Sequence, residues 1–155
     1  MSRFLATIPL LACFLGACGS QSPTIRVLSA QLAERTDQGA VIQFVIEADN
    51  PNEDALPLQD VTYSVDLDGK TVFSGTRSAE STIRRFGRQQ VRLPAAFAVP
   101  QGTSLPPVAH YRISGDVVYV VPGAIAETLF DQEVIRPSAS FSGEGTVELV
   151  LPAGR

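Results

Sequence analysis

Tryptophan is absent from this sequence, and histidine, methionine and lysine occur once each against eleven arginines. Cysteine occurs twice, as Cys13 and Cys18. One His and two Cys leave almost nothing from which to build a metal site or a nucleophile–base–orienter triad. No run of eighteen apolar residues occurs, which argues against a spanning helix. Charged residues are 18% of the chain, the formal net charge is −4 and the pI about 4.9, which argues against nucleic acid or another polyphosphate as partner. What is abundant is apolar: 45% of 155 residues, enough to exclude disorder as the main state and to form one domain of ordinary size.

The first eighteen residues read as an address. Arg3 supplies a positive start, and an apolar run from Phe4 to Leu15 has the length of a signal-peptide core and is too short to span a bilayer. It ends in Leu15-Gly16-Ala17-Cys18, which resembles the bacterial lipobox. The resemblance implies cleavage before Cys18, a diacylglyceryl thioether on its thiol and acylation of the new amine. The alternatives are an ordinary secretory signal with an incidental Cys and a buried apolar helix. The expected organisation is a signal over residues 1–17, a lipidated Cys and short linker over 18–23, and a domain over 24–155. Loss of Arg3 with the signal takes the charge to −5, so lipid rather than electrostatics must do the attaching. Cys13 leaves with the signal and Cys18 is consumed, so no disulfide forms. Gly19, not Asp, follows Cys18, and in Gram-negative lipoproteins that resembles outer-membrane sorting, with the domain facing the periplasm.

From Thr24 onward, period-two patterns dominate. Residues 25–32 suit a first strand. In residues 41–49, Ile42, Phe44, Ile46 and Ala48 share one face, and Asn50-Pro51-Asn52 ends the strand. Val61, Tyr63, Val65 and Leu67 share a face before Asp68-Gly69, a two-residue hairpin signal with its return strand over 70–75. Further strands are expected over 81–93, 95–99, 108–121, 137–141 and 146–151, with Ser142-Gly143-Glu144-Gly145 as a turn. The unbroken Val117–Val121 run suggests burial on both faces or a change of sheet. Residues 124–130 have helical spacing. The expectation is a mainly β fold: an antiparallel immunoglobulin/fibronectin-like sandwich of about seven strands with one short helix.

The order of these segments resembles the late embryogenesis abundant type 2 family, also called the water stress and hypersensitive response (WHy) domain. The resemblance is carried by the apolar strand from Phe44 into Asn50-Pro51-Asn52, by Leu56-Pro57-Leu58, by Val61–Gly69 and Val72–Gly75, by Val91–Pro94 and by Tyr111–Gly115. It implies a folded sandwich, a link to desiccation and other stress, and no catalytic residues and no cofactor.

Several residues invite functional readings. Asn50 and Asn52, around Pro51, can bind a partner or satisfy backbone groups in a tight turn. Asp49, Asn52, Glu53 and Asp54 offer oxygen ligands, but in no recognisable Ca²⁺-loop spacing, and a solvated loop is expected. Arg84, Arg88 and Arg92 share parity, so an unbulged strand puts them on one face. That face can meet anionic lipid, or be neutralised by acids on a neighbouring strand. His110 has no second His or Cys to act with and is expected to be structural. Asp66 and Asp68 form a carboxylate pair, with Asp68 explained by turn chemistry. The expected function is a non-enzymatic, lipid-anchored stress protein of the bacterial envelope acting by surface contact, its partner the membrane through Cys18. Alternatives are a carrier of lipid or another apolar ligand and an adaptor module of an envelope complex.

Overall fold

The computed structural model describes residues 20–100, 102 and 105–150; the expected signal over residues 1–17, Cys18 and Gly19 lie outside the described residues. Seven strands and one helix follow in the order β1 (Thr24–Arg35), β2 (Gly39–Asp49), β3 (Leu56–Leu67), β4 (Lys70–Ile83), β5 (Arg88–Ala98), β6 (Val108–Tyr119), α1 (Ala124–Asp131) and β7 (Ser138–Glu148). One sheet has the order β1-β2-β5 and the other β4-β3-β6-β7, with every pairing antiparallel. The fold is the expected β-sandwich. In a constant-type immunoglobulin domain the fourth strand pairs with the sheet of the first two. Here β4 lies beside β3 in the other sheet.

The core follows from alternation. Ile42, Phe44, Ile46 and Ala48 of β2 are fully buried, as are Val61 and Val65 of β3, with Tyr63 and Leu67 nearly so. They join Ile113, Val117 and Tyr119 of β6 and Phe141 of β7 in one apolar cluster. Phe44 meets Tyr111 edge-on at 5.3 Å, and Tyr63 meets Phe73 at 4.9 Å. Aromatic pairs in such offset geometries add to area burial.

Asp68 and Gly69 turn β3 into β4 with φ of 48° and 81°, the left-handed pair that a two-residue hairpin requires. The return strand is longer than its apolar pattern indicates, running to Ile83. Consequently no single strand spans 81–93. Residues 84–87 form a turn, closed by the Gly87 amide on the Arg84 carbonyl at 3.0 Å, and β5 starts after it.

The two strands expected over 137–141 and 146–151 are one strand that ends at Glu148, with Leu151 outside the described residues, and Ser142–Gly145 is not a turn but the middle of β7. The two glycines serve close approach instead. A Cβ on Gly143 would sit 2.7 Å from Val27 Cγ2 of β1, and one on Gly145 would sit 3.0 Å from the Tyr111 hydroxyl. Small inward positions here let β7 pass under β1 and the Tyr111 ring. β6 stays in its sheet throughout. Its Val117–Val121 run ends where Val120 donates to the Pro57 carbonyl and Tyr119 to the Pro137 carbonyl, at 2.9 and 3.1 Å.

A hydrogen bond joins the two sheets. The Tyr63 hydroxyl donates to the Pro94 carbonyl at 2.6 Å. Burial raises the pKa of this phenol above its ordinary 10.0, with Arg77 pulling more weakly the other way. A raised folded-state pKa means that this contribution is fully present below the unfolded value and is lost as pH climbs through the folded one. Stability should therefore fall in the alkaline range above the ordinary tyrosine pKa. Tyr63→Phe should cost about 1 kcal/mol at neutral pH and should flatten that alkaline loss. Urea melts at about pH 8 and about pH 11 read both effects.

Candidate functional site

The connections β2–β3, β4–β5 and β6–β7 all fall at one end of the sandwich, together with the start of β1. α1 lies in the last of them. This α1 end is organised by Asn50, which is fully buried and is the one buried polar side chain among the described residues. Its amide nitrogen donates to the Asp54 carbonyl at 2.8 Å and to the Arg84 carbonyl at 3.1 Å. Its amide oxygen accepts from the Asn52 backbone N–H at 3.0 Å and from the Asn52 amide at 2.8 Å. The Asn50 backbone N–H donates to Gly87 and the Phe86 N–H to the Asn52 carbonyl, at 2.9 and 3.0 Å. Asn50 thus ties both cross-sheet connections together. Side-chain satisfaction of turn backbone, expected from Asn50-Pro51-Asn52, is what the geometry shows, and it extends to a carbonyl 34 residues away.

Asn52 turns to the segment that leads into β1. Its amide oxygen accepts from the Gln21 N–H at 2.7 Å, and its amide nitrogen donates to the Gln21 carbonyl at 2.8 Å. Ser22 and the Tyr119 hydroxyl are 2.9 Å apart, and Pro23 is buried. The linker expected over 18–23 is therefore not all tether: residues 21–23 are part of the domain. Nothing in the local sequence signals this, because Gln21 and Ser22 are ordinary linker residues.

The arginines separate. Arg84 lies in the 84–87 turn, and only Arg88 and Arg92 lie on β5. The shared face expected for Arg84, Arg88 and Arg92 needed one unbroken strand, and the turn removes it. Arg88 faces Asp49 across the β2–β5 ladder, with Nε to Oδ2 at 3.1 Å. On the same outer face Arg26 pairs with Glu47 at 3.1 Å. Acids on a neighbouring strand neutralise that face in part, and Arg92, opposite Val45, makes no ion pair among the described residues.

The same turn holds a residue that the charge pattern hides. Phe86 is exposed, with φ of 48°. For a bulky side chain that conformation is unfavourable by about 1 kcal/mol. A glycine would hold it without strain.

At the opposite end, Asp66, His110, Arg112 and Glu144 line a shallow recess. Asp66 accepts from the Thr71 hydroxyl at 2.7 Å and Asp68 from the His110 backbone N–H at 3.0 Å. Arg112 pairs with Glu144 at 3.5 Å. Both aspartates are thus engaged in closing the hairpin and its neighbour. His110 is structural through its backbone only, since its side chain is exposed. Among the described residues no His, Cys, Asp and Glu group could hold a metal ion, and no helix is long and apolar enough to cross a membrane.

Comparison with solved structures gives the same architecture. An Arabidopsis thaliana protein known from its solution structure aligns with a TM-score of 0.63 and 12% identity, covering 95% of this chain and 92% of that one. The solution structure of a protein assigned to the late embryogenesis abundant (LEA) group aligns with a TM-score of 0.60 and 14% identity, covering 83% and 71%. A crystal structure from Archaeoglobus fulgidus aligns with a TM-score of 0.52 and 10% identity, covering 81% and 99%. At such identities these likenesses concern the fold. No curated protein sequence matches the chain. Residues 45–140 match the LEA_2 family, Late embryogenesis abundant protein. The chain belongs to that family, whose members are stress- and desiccation-related and generally non-enzymatic.

Proposed function

We propose that this chain is a lipoprotein of the bacterial envelope, anchored through Cys18 to the outer membrane and facing the periplasm. In this reading it carries the WHy form of the domain and shields membranes or proteins by surface contact when water is scarce. The observation that supports the stress role is the family match over residues 45–140, while the anchor rests on the sequence Leu15-Gly16-Ala17-Cys18.

A domain of paired strands around a filled core has no flexible chain with which to wrap a client, so its faces and loops must do the work. The faces a carrier would part to hold an acyl chain meet instead: Ile42, Phe44 and Ile46 are packed into one cluster with Val117 and Tyr119. Close packing of that kind favours contact over carriage. The Gln21 backbone, three residues after Cys18, is held against the domain by the Asn52 side chain, which keeps a lipid on Cys18 close to this end. The acidic composition makes nucleic acid a poor partner.

The test is drying. The protein, begun at Ser20 so that the Gln21 contacts are kept, is dried with a labile enzyme and, separately, with dye-loaded vesicles, then rehydrated. An inert folded protein of equal mass is the control. Protection well above the control is expected in at least one arm, and the arm identifies the client. Protection no better than the control in both arms would sink the stress-shielding role.

A further inference from the structure

Seven large apolar side chains are exposed among the described residues, and four of them lie at the α1 end: Ile125 (79%), Phe86 (67%), Val134 (66%) and Ile135 (52%). α1 itself buries no residue, although it ends in a well-formed Schellman motif, with Val134 N–H on Leu129 and Glu133 N–H on Phe130, both at 2.9 Å. The helix is shaped, yet Ile125 is left in the open and Leu129 and Phe130 are only half-buried. Ile125 and Ile135 border a shallow apolar groove with Val121, Leu129, Phe130 and Pro137. Phe86 is presented on a strained turn between Arg85 and Gly87.

Gln21 and Ser22, which lead into β1, run between these two features. Gln21 is bonded to Asn52, whose carbonyl holds the Phe86 N–H, and Ser22 is bonded to Tyr119, the last residue of β6 before the α1 connection. Cys18 precedes Gln21 by three residues, so its reach from that point is at most about 11 Å. A lipid on Cys18 would therefore hold the α1 end, and no other part of the sandwich, against the bilayer surface.

We infer that the α1 end is a lipid-contacting surface, with Phe86 on one side of the tether and Ile125, Val134 and Ile135 on the other entering the interfacial zone of the membrane. This inference rests on the lipid-anchor reading above. Arg84 and Arg85 flank the Phe86 side, are exposed, and make no ion pair among the described residues, which leaves them for headgroup phosphates. Glu53, Asp54, Glu127, Asp131 and Glu133 lie at the same end. With that many acids the contact is apolar in origin and should vary little with salt.

The absence of Trp makes the test direct, because a single introduced Trp reports its own surroundings. The full chain is produced in bacteria as Phe86→Trp, as Ile125→Trp, and as Val108→Trp, an exposed site at the far end. Each is extracted from membranes and reconstituted into vesicles of phosphatidylethanolamine and phosphatidylglycerol containing brominated phosphatidylcholine. Phe86→Trp and Ile125→Trp should be quenched at least about twofold more than Val108→Trp, with blue-shifted emission. Equal quenching at all three sites, with the protein retained on the vesicles, would overturn the contact while leaving the anchor intact, and would turn attention to a protein partner for this end. Failure of all three proteins to stay with the membrane would overturn the anchor and the contact together.

Discussion

Asn50→Ala should destabilise the domain by about 3–4 kcal/mol, which is a large share of the stability of a single domain. The side chain is fully buried and makes four hydrogen bonds. Truncation leaves the Asp54 and Arg84 carbonyls and two Asn52 donors without that partner. Each orphaned buried group costs about 1–3 kcal/mol, moderated where water can enter. Asn52→Ala should cost only about 1 kcal/mol, because Asn52 is half-exposed and water can replace its contacts to Gln21. Asn50→Asp is the sharper control. It keeps the acceptor but aims a carboxylate at two carbonyl oxygens, so it should be at least as damaging at neutral pH and partly recover in acid, where a protonated carboxyl can donate again. Urea denaturation of the three variants checks the order. An Asn50→Ala loss no larger than that of Asn52→Ala would show that the buried network is not what holds the α1 end.

The second large effect belongs to Gly115. A Cβ there would land on the Thr62 carbonyl oxygen and within 2.7 Å of Tyr63 Cβ, both in β3, the strand that Gly115 pairs with. Gly115→Ala should cost about 3 kcal/mol, because the obstacle is backbone of a central strand and cannot rotate away. Gly143→Ala meets an obstacle of a different kind, the Val27 side chain, with Cγ2 at 2.7 Å and Cβ at 2.8 Å. Its cost should be smaller and should be largely recovered in the Val27→Gly background, where both Cγ2 and Cβ of Val27 are removed. A double-mutant cycle on Val27 and Gly143 should therefore show strong coupling, while shortening Tyr63 should not rescue Gly115→Ala. Rescue of both, or of neither, would contradict the close approaches that set the shape of the sandwich.

The sequence was most legible where one strand face is buried and the other wet. The period of two over Ile42–Ala48 and Val61–Leu67 exposes the core without ambiguity, and Asp68-Gly69 marks its hairpin because few other pairs accept two left-handed residues. Legibility failed where position, not composition, decides. The second half of β4 (Thr76–Thr82) is polar and mostly exposed on an edge strand, so nothing in its pattern announces a strand. Arg84 and Arg85 extend that polar stretch, which hides the turn between β4 and β5 and so misplaces Arg84 on a strand with Arg88 and Arg92. In β7 the two glycines have the composition of a turn but the task of letting neighbours approach. At the α1 end, Asn50-Pro51-Asn52 announced its own chemistry, whereas the Arg84 carbonyl, Gln21 and Phe86 come to it from distant parts of the chain. Partners separated by 31 or 34 residues are invisible to local patterns.

The proposed role and the lipid contact of the α1 end both require that the domain be held at a membrane by the residue that precedes its first fixed contacts. The most direct measurement is the mass of the N-terminal peptide of the protein extracted from bacterial membranes. The expected result is a chain beginning at Cys18, its thiol carrying diacylglycerol and its amine an acyl group. An unmodified Cys18, or a mature chain that starts at another residue, would contradict it.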